Sequence, residues 1–235
     1  MSESASRPAG RIRVLDAWRG VAVLVMIGWH FCWDLGLMGV WPQSRMFTPF
    51  AVAVRYFIVC SFVILAGISA RFSRSNYRRG LLLLGCAAVI TLVTWLADQP
   101  AWFGILHLLS CCLLLYGLLG PSLRKLPEGL LLLVSLALFA VLHAVCYGIR
   151  ISVPGLWMFG LRTPTFESSD YYPLFPWMFL FLAGTVAGGR LKAKPPALPA
   201  PELLCRIGRN ALWIYMLHQP ILLGITWLIA HFQGG

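Results

Sequence analysis

The sequence predicts an all-α, polytopic membrane protein of about seven transmembrane helices, with the N-terminus cytoplasmic and the C-terminus outside. Three observations lead there. Of the 235 residues, 59% are hydrophobic and only 11% charged, where a soluble domain carries about 25% charged residues. Seven apolar runs are long enough to cross a bilayer. The basic residues gather in alternate gaps between those runs. The mean hydropathy of +0.78 also excludes a disordered chain.

A spanning helix needs roughly 20 mostly apolar residues. The segments 14–36, 49–70, 79–97, 103–120, 129–148, 172–189 and 210–231 qualify. Turn-forming and polar residues fill most gaps: Trp41-Pro42-Gln43-Ser44, Ala97-Asp98-Gln99-Pro100, Pro121 to Pro127, and Lys192 to Pro201. None has room for a separate soluble domain. Residues 1–13 therefore read as a cytoplasmic tail and 14–231 as a single transmembrane domain, without internal repeats. The first apolar run lacks a small-residue cleavage site, so no signal peptide is expected.

The formal charge is +11, which in a soluble protein would suggest nucleic acid. Here the basic residues encode orientation instead. Arg7, Arg11 and Arg13 in the tail fall on one side with Arg71, Arg74, Arg78, Arg79, Arg124, Lys125, Arg190, Lys192, Lys194, Arg206 and Arg209. The opposite side has Arg45, Arg150 and Arg162, while Arg19 and Arg55 lie within spans. Fourteen against three places the N-terminus inside, and no nucleic-acid partner is expected. The longest outer loop, about 149–171, contains Arg162, Glu167 and Asp170. Two readings of it stay open: a lid or acceptor-facing surface, and a solvated connection.

The seven cysteines include no CxxC, and most lie in apolar runs, where Cys behaves as a small hydrophobe. Neither a disulfide framework nor a metal site is expected. The polar residues inside spans carry more information, because a buried charge costs at least about 2.5 kcal/mol on insertion scales. Asp16, Arg19, His30 and Asp34 all lie in the first span. The eleven residues from Arg19 to His30 make three helical turns, so both face one stripe about 16 Å apart. Asp34, four residues after His30, shares that face and is placed to accept the ring N–H and orient a base. Arg55 enters the second span from the outer side and competes for Asp34. Asp16 and Arg19, at i and i+3, also form a natural structural ion pair. His107 opens the fourth span. His218 lies mid-span in the seventh, beside Pro220, which interrupts the backbone ladder. His143 and His231 read as structural or interfacial.

The stretch Arg13-Val14-Leu15-Asp16-Ala17-Trp18-Arg19-Gly20-Val21-Ala22, followed by His30-Phe31, resembles the opening helix of the transmembrane acyltransferase superfamily. The closest resemblance is to the bacterial branch of the heparan-alpha-glucosaminide N-acetyltransferase family. Gly104-Ile105-Leu106-His107, Ser169-Asp170-Tyr171-Tyr172-Pro173-Leu174-Phe175-Pro176-Trp177 and the run Ile207 to Pro220 fit the same branch. The Arg19-to-His30 spacing is also similar to that of bacterial membrane O-acyltransferases. The resemblance implies transfer from cytoplasmic acyl-CoA, usually acetyl-CoA, to a hydroxyl or amine of a glycan or glycoconjugate across the inner (plasma) membrane. It puts Arg19 near the donor and His30 at the transfer centre, with Asn210 and His218 lining the same cavity. Lysosomal members have Asn where His30 stands and a His farther on. No histidine lies between His30 and His107 here, so the role of His30 rests on the O-acyltransferase comparison.

Arg71, Arg74, Arg78, Arg79, Arg206 and Arg209 supply the guanidinium groups that phosphates of CoA would need. Two other classes compete with an enzyme: a small-molecule transporter whose polar stripe is a permeation path, and a non-catalytic membrane partner of the same fold. Transporters often show repeated halves and paired broken helices, which this sequence lacks. A homodimer through outward-facing helices is left open.

Overall fold

The structure, a computed structural model, describes residues 12–148, 155–193 and 198–233. Arg7, Arg11, Arg150 and Lys194 of the charge count lie outside them. The described residues form eight α-helices: α1 (Arg13–Leu37), α2 (Pro49–Phe72), α3 (Asn76–Leu96), α4 (Ile105–Leu123), α5 (Glu128–Gly148), α6 (Leu174–Ala193), α7 (Glu202–Arg209) and α8 (Ala211–Gln233). All except α7 are long and apolar enough to cross a membrane. The ends of the seven expected spans differ from these helices by four residues or fewer.

Helix α7 is an addition to the sequence reading. Its eight residues, ELLCRIGR, start after Pro201, whose ring suits the N-cap of a helix. The helix is too short and too charged to register as a span. It buries Cys205 and Gly208 and leaves Glu202, Arg206 and Arg209 outward.

The chain divides into two compact units, with the boundary between Val54 and Arg55 inside α2 and again near Ala193. In the first unit, α1 packs against α7 and α8. The α1–α7 crossing is close because both helices present glycine. A Cβ at Gly208 would fall on the Asp16 carbonyl, and one at Gly20 on the Leu204 carbonyl. In the second unit, α6 supplies the core, with Trp177 and Phe181 almost fully buried. It lies against α2 through Gly184 and Gly188, where an added Cβ would come within 2.6 Å of the Ile64 and Ile68 carbonyls. Small residues four apart let membrane helices approach closely. Helices α3 and α5 expose Leu82, Leu92, Leu130, Leu133 and Val141. Such an apolar surface suits lipid, which solvates it without cost.

Candidate active site

In the first unit, α1 is helical without interruption from Arg13 to Leu37, so the spacing read from the sequence holds along its whole length. Near its start, Arg19 Nη1 donates to Asp16 Oδ1 at 3.0 Å, and Asp16 is buried. The other polar cluster on α1 lies toward its far end. There the His30 ring meets the His218 ring of α8 edge-on, with centroids 5.0 Å apart and planes inclined at 62°. His218 Nδ1 lies 2.5 Å from the Tyr215 carbonyl oxygen. Its Nε2 is buried and has no hydrogen-bond partner among the described residues.

One turn beyond His30, the fully buried Asp34 faces Gln219. The amide Nε2 of Gln219 donates to Oδ1 at 2.9 Å and to Oδ2 at 3.0 Å. This corrects the expected His30–Asp34 pair: among the described residues, the hydrogen bonds of Asp34 come from Gln219, not from the imidazole. Sharing a helix face made that pair available. The neighbouring helix brings an amide donor onto the same carboxylate, which sequence periodicity on one helix does not reveal. Pro220, lacking an N–H, frees the Met216 carbonyl beside this cluster.

The side chain of Asn210 bonds within its own end of α7 rather than to His218. It is exposed and its Nδ2 donates to the Arg206 carbonyl at 2.9 Å, closing the end of α7 eight residues before His218. Arg206 and Arg209 converge on one carboxylate. Glu202 lies 2.6 Å from Arg209 Nη2, 2.9 Å from Arg13 Nη2 and 3.7 Å from Arg206 Nε. The bond from Arg209 holds the Glu202 carboxyl below its ordinary range, with Arg13 and Arg206 adding to the effect. Three guanidinium groups around a single carboxylate leave a surplus of positive charge, which suits a multiply charged anion. The sequence reading missed Arg13 and Glu202 as members of this group, and Gln219 beside His218. The signal for Gln219 was available, since an amide in a span asks for a partner as a charge does.

In the second unit, His107 stacks on Phe103 with centroids 5.9 Å apart and places Nε2 3.4 Å from the Thr91 hydroxyl. Arg55 is exposed, with its guanidinium 6.0 Å from the Tyr56 ring centroid. Arg71 lines a crevice of about 30 Å³ with Arg124, Glu128 and Tyr116. Arg79 donates to the Ser69 carbonyl at 3.3 Å, while Arg74 and Arg78 are exposed. The six arginines expected to serve a phosphate ligand are thus divided between the two units.

The described part of the outer loop is fastened to the α3–α4 turn. Ser169 Oγ donates to the Gln99 carbonyl at 2.9 Å, Ser168 Oγ accepts from Trp102 N at 2.9 Å, and Tyr172 N donates to the Phe103 carbonyl at 3.0 Å. Asp170 Oδ2 accepts from Ile105 N at 3.1 Å and so caps α4 from a distant position in the chain. Gly104 leaves room for that carboxylate, which a Cβ would displace. Desolvation pushes the Asp170 carboxyl up to about 6 against the opposing pull of the Ile105 N–H. Among the described residues no three His, Cys, Asp or Glu are grouped to hold a metal ion.

The family model described as heparan-alpha-glucosaminide N-acetyltransferase, catalytic, matches residues 11–220. The match begins just before α1 and ends at Pro220, so it includes His30, Asp34, His218 and Gln219. No curated protein and no solved structure matches the chain.

Proposed function

Because the chain belongs to the heparan-alpha-glucosaminide N-acetyltransferase catalytic family, a family of membrane acetyltransferases, we propose that it moves an acetyl group from acetyl-CoA to a hydroxyl or amine of a glycan or glycoconjugate on the far side of the inner membrane. The observation that carries this reading is the polar cluster of His30, His218, Asp34 and Gln219 between two apolar spans, with Asp34 and His218 buried. Polar groups held at such cost inside a membrane mark a pathway or a reaction centre.

The chain's residues fit an acyl-CoA donor at both ends. Arg13, Arg206 and Arg209 would hold phosphates at the start of α1, assisted by Arg19. The histidines lie about 16 Å farther along α1 from Arg19, a separation suited to an extended thioester arm. The donor supplies an activated acyl carbon, and an imidazole at the centre would accept the proton of the attacking group. The excess of basic residues supports a cytoplasmic N-terminus and an outer C-terminus. The pinned outer loop with Asp170 and the His107 region then face the acceptor side.

The test is isothermal titration of the detergent-purified chain with acetyl-CoA, followed by release of CoA thiol in the presence of amino- and hydroxyl-bearing saccharides. Saturable binding and acceptor-dependent thiol release are expected. A folded chain showing neither would overturn the reading. Sidedness is checked by a Glu167→Cys variant in sealed cells, where Glu167 is exposed. An impermeant thiol reagent added outside should label it, and labelling only after the membrane is opened would reverse the topology.

A further inference from the structure

The transfer centre contains two imidazoles, and their surroundings differ. A carbonyl oxygen can only accept, so the contact between His218 Nδ1 and the Tyr215 carbonyl fixes the hydrogen of the neutral ring on Nδ1. The lone pair is then on Nε2. That nitrogen is buried without a partner among the described residues, although buried polar atoms are nearly always hydrogen-bonded. His30 has neither property. It is half-buried, no hydrogen bond orients its ring among the described residues, and the carboxylate one turn away is held by Gln219.

A base needs a fixed ring, a defined tautomer and a free nitrogen facing the reacting group. His218 has a ring fixed by the Tyr215 carbonyl, the tautomer that contact sets, and a nitrogen without a partner among the described residues. We infer that His218 Nε2, rather than His30, is the general base, and that His30 positions it through the edge-on contact at 5.0 Å. This rests on the acyl-transfer reading. In the step, Nε2 takes the proton from the attacking O–H or N–H as the new bond to the acyl carbon forms. The carbon–sulfur bond breaks, and the imidazolium returns the proton to the departing thiolate, leaving CoA thiol and a neutral histidine. Growth of positive charge on His218 is tolerated because Nδ1–H already points at a carbonyl.

The experiment compares kcat, KM and acetyl-CoA Kd for wild type, His218→Ala, His218→Asn and His30→Ala, with thermal stability measured on each. His218→Asn preserves a donor for the Tyr215 carbonyl but has no basic nitrogen, so it remains informative where the alanine variant folds poorly. Both His218 variants should lose roughly 100- to 10,000-fold in kcat, the usual contribution of a general base, with Kd unchanged. Added imidazole should restore part of the rate in His218→Ala, and His30→Ala should retain more activity than either. A folded His218→Asn turning over near the wild-type rate, or a loss confined to His30→Ala, would overturn the assignment while leaving acetyl transfer intact. Absence of turnover in wild type would instead defeat the acyl-transfer reading itself.

Discussion

Gln219 Nε2 donates to both oxygens of Asp34, at 2.9 and 3.0 Å, joining α8 to α1 through a carboxylate with no exposure to solvent. The contact spans 185 residues of sequence. It gives Asp34 a structural duty: it fixes the rotation of α8 that brings His218 against His30.

The first prediction follows from that contact. Gln219→Leu leaves the carboxylate buried without its donor, and hydrogen bonds to charged groups contribute about 1.5–3 kcal/mol. Thermal unfolding in detergent should show a clear drop for Gln219→Leu and a smaller one for Asp34→Asn. A double Asp34→Leu, Gln219→Leu variant should recover part of the loss, since it removes the stranded charge. Equal stability of Gln219→Leu and wild type would show that the bond contributes nothing.

These particulars also show what the sequence could and could not reveal. The seven spans were legible because bilayer thickness sets a minimum length for an apolar run. The common face of His30 and Asp34 was legible because helical periodicity is local. The partners His218 and Gln219 depend on how α8 rotates against α1, and no spacing within either helix encodes that. Helix α7 was missed because eight amphipathic residues between prolines and arginines resemble a charged loop. Its packing signal was Gly208, whose meaning appears only once the Asp16 carbonyl lies across it.

The second prediction concerns that crossing. Gly208→Ala places a Cβ on the Asp16 carbonyl, a backbone atom that cannot swing aside. Helix α7 must then move away from α1, and stability should fall. Gly28→Ala is the control, because a Cβ there meets nothing within 4 Å. It removes a helix-interior glycine and should be neutral or stabilising by up to about 1 kcal/mol. Equal thermal stability of the two variants would contradict the close α1–α7 contact.

The third prediction uses the raised Asp170 carboxyl, about 6 in the folded chain against an ordinary 3.8. Below about pH 4 the group is protonated in folded and unfolded chains alike. Between about pH 4 and 6 the folded form holds a proton that the unfolded form has lost, so stability falls as pH rises. Above that window the ionised carboxylate carries the full penalty, on the order of 3 kcal/mol at 1.4 kcal/mol per pKa unit. Asp170→Asn retains an oxygen for the Ile105 N–H and cannot ionise. Relative to this variant, wild-type melting temperature should decline from pH 4.5 to 7. Parallel profiles would show that Asp170 does not titrate in this range.

The last prediction separates two duties of Arg19. Its guanidinium pairs with the buried Asp16 at 3.0 Å, and the resemblance to membrane acyltransferases puts it near the donor. Arg19→Ala alone mixes the effects, since it changes the charge around Asp16 as well as the charge available to a ligand. The double variant Asp16→Asn, Arg19→Ala removes the carboxylate charge along with its partner, so stability should return toward wild type. If Arg19 contacts acetyl-CoA, the loss of affinity persists in the double variant, at tenfold or more, about 1.4 kcal/mol. Asp16→Asn by itself should then bind acetyl-CoA nearly as wild type does. Titration calorimetry and thermal unfolding on the three proteins measure both quantities. Affinity that returns with stability in the double variant would reduce Arg19 to the partner of Asp16 and leave donor binding to Arg13, Arg206 and Arg209.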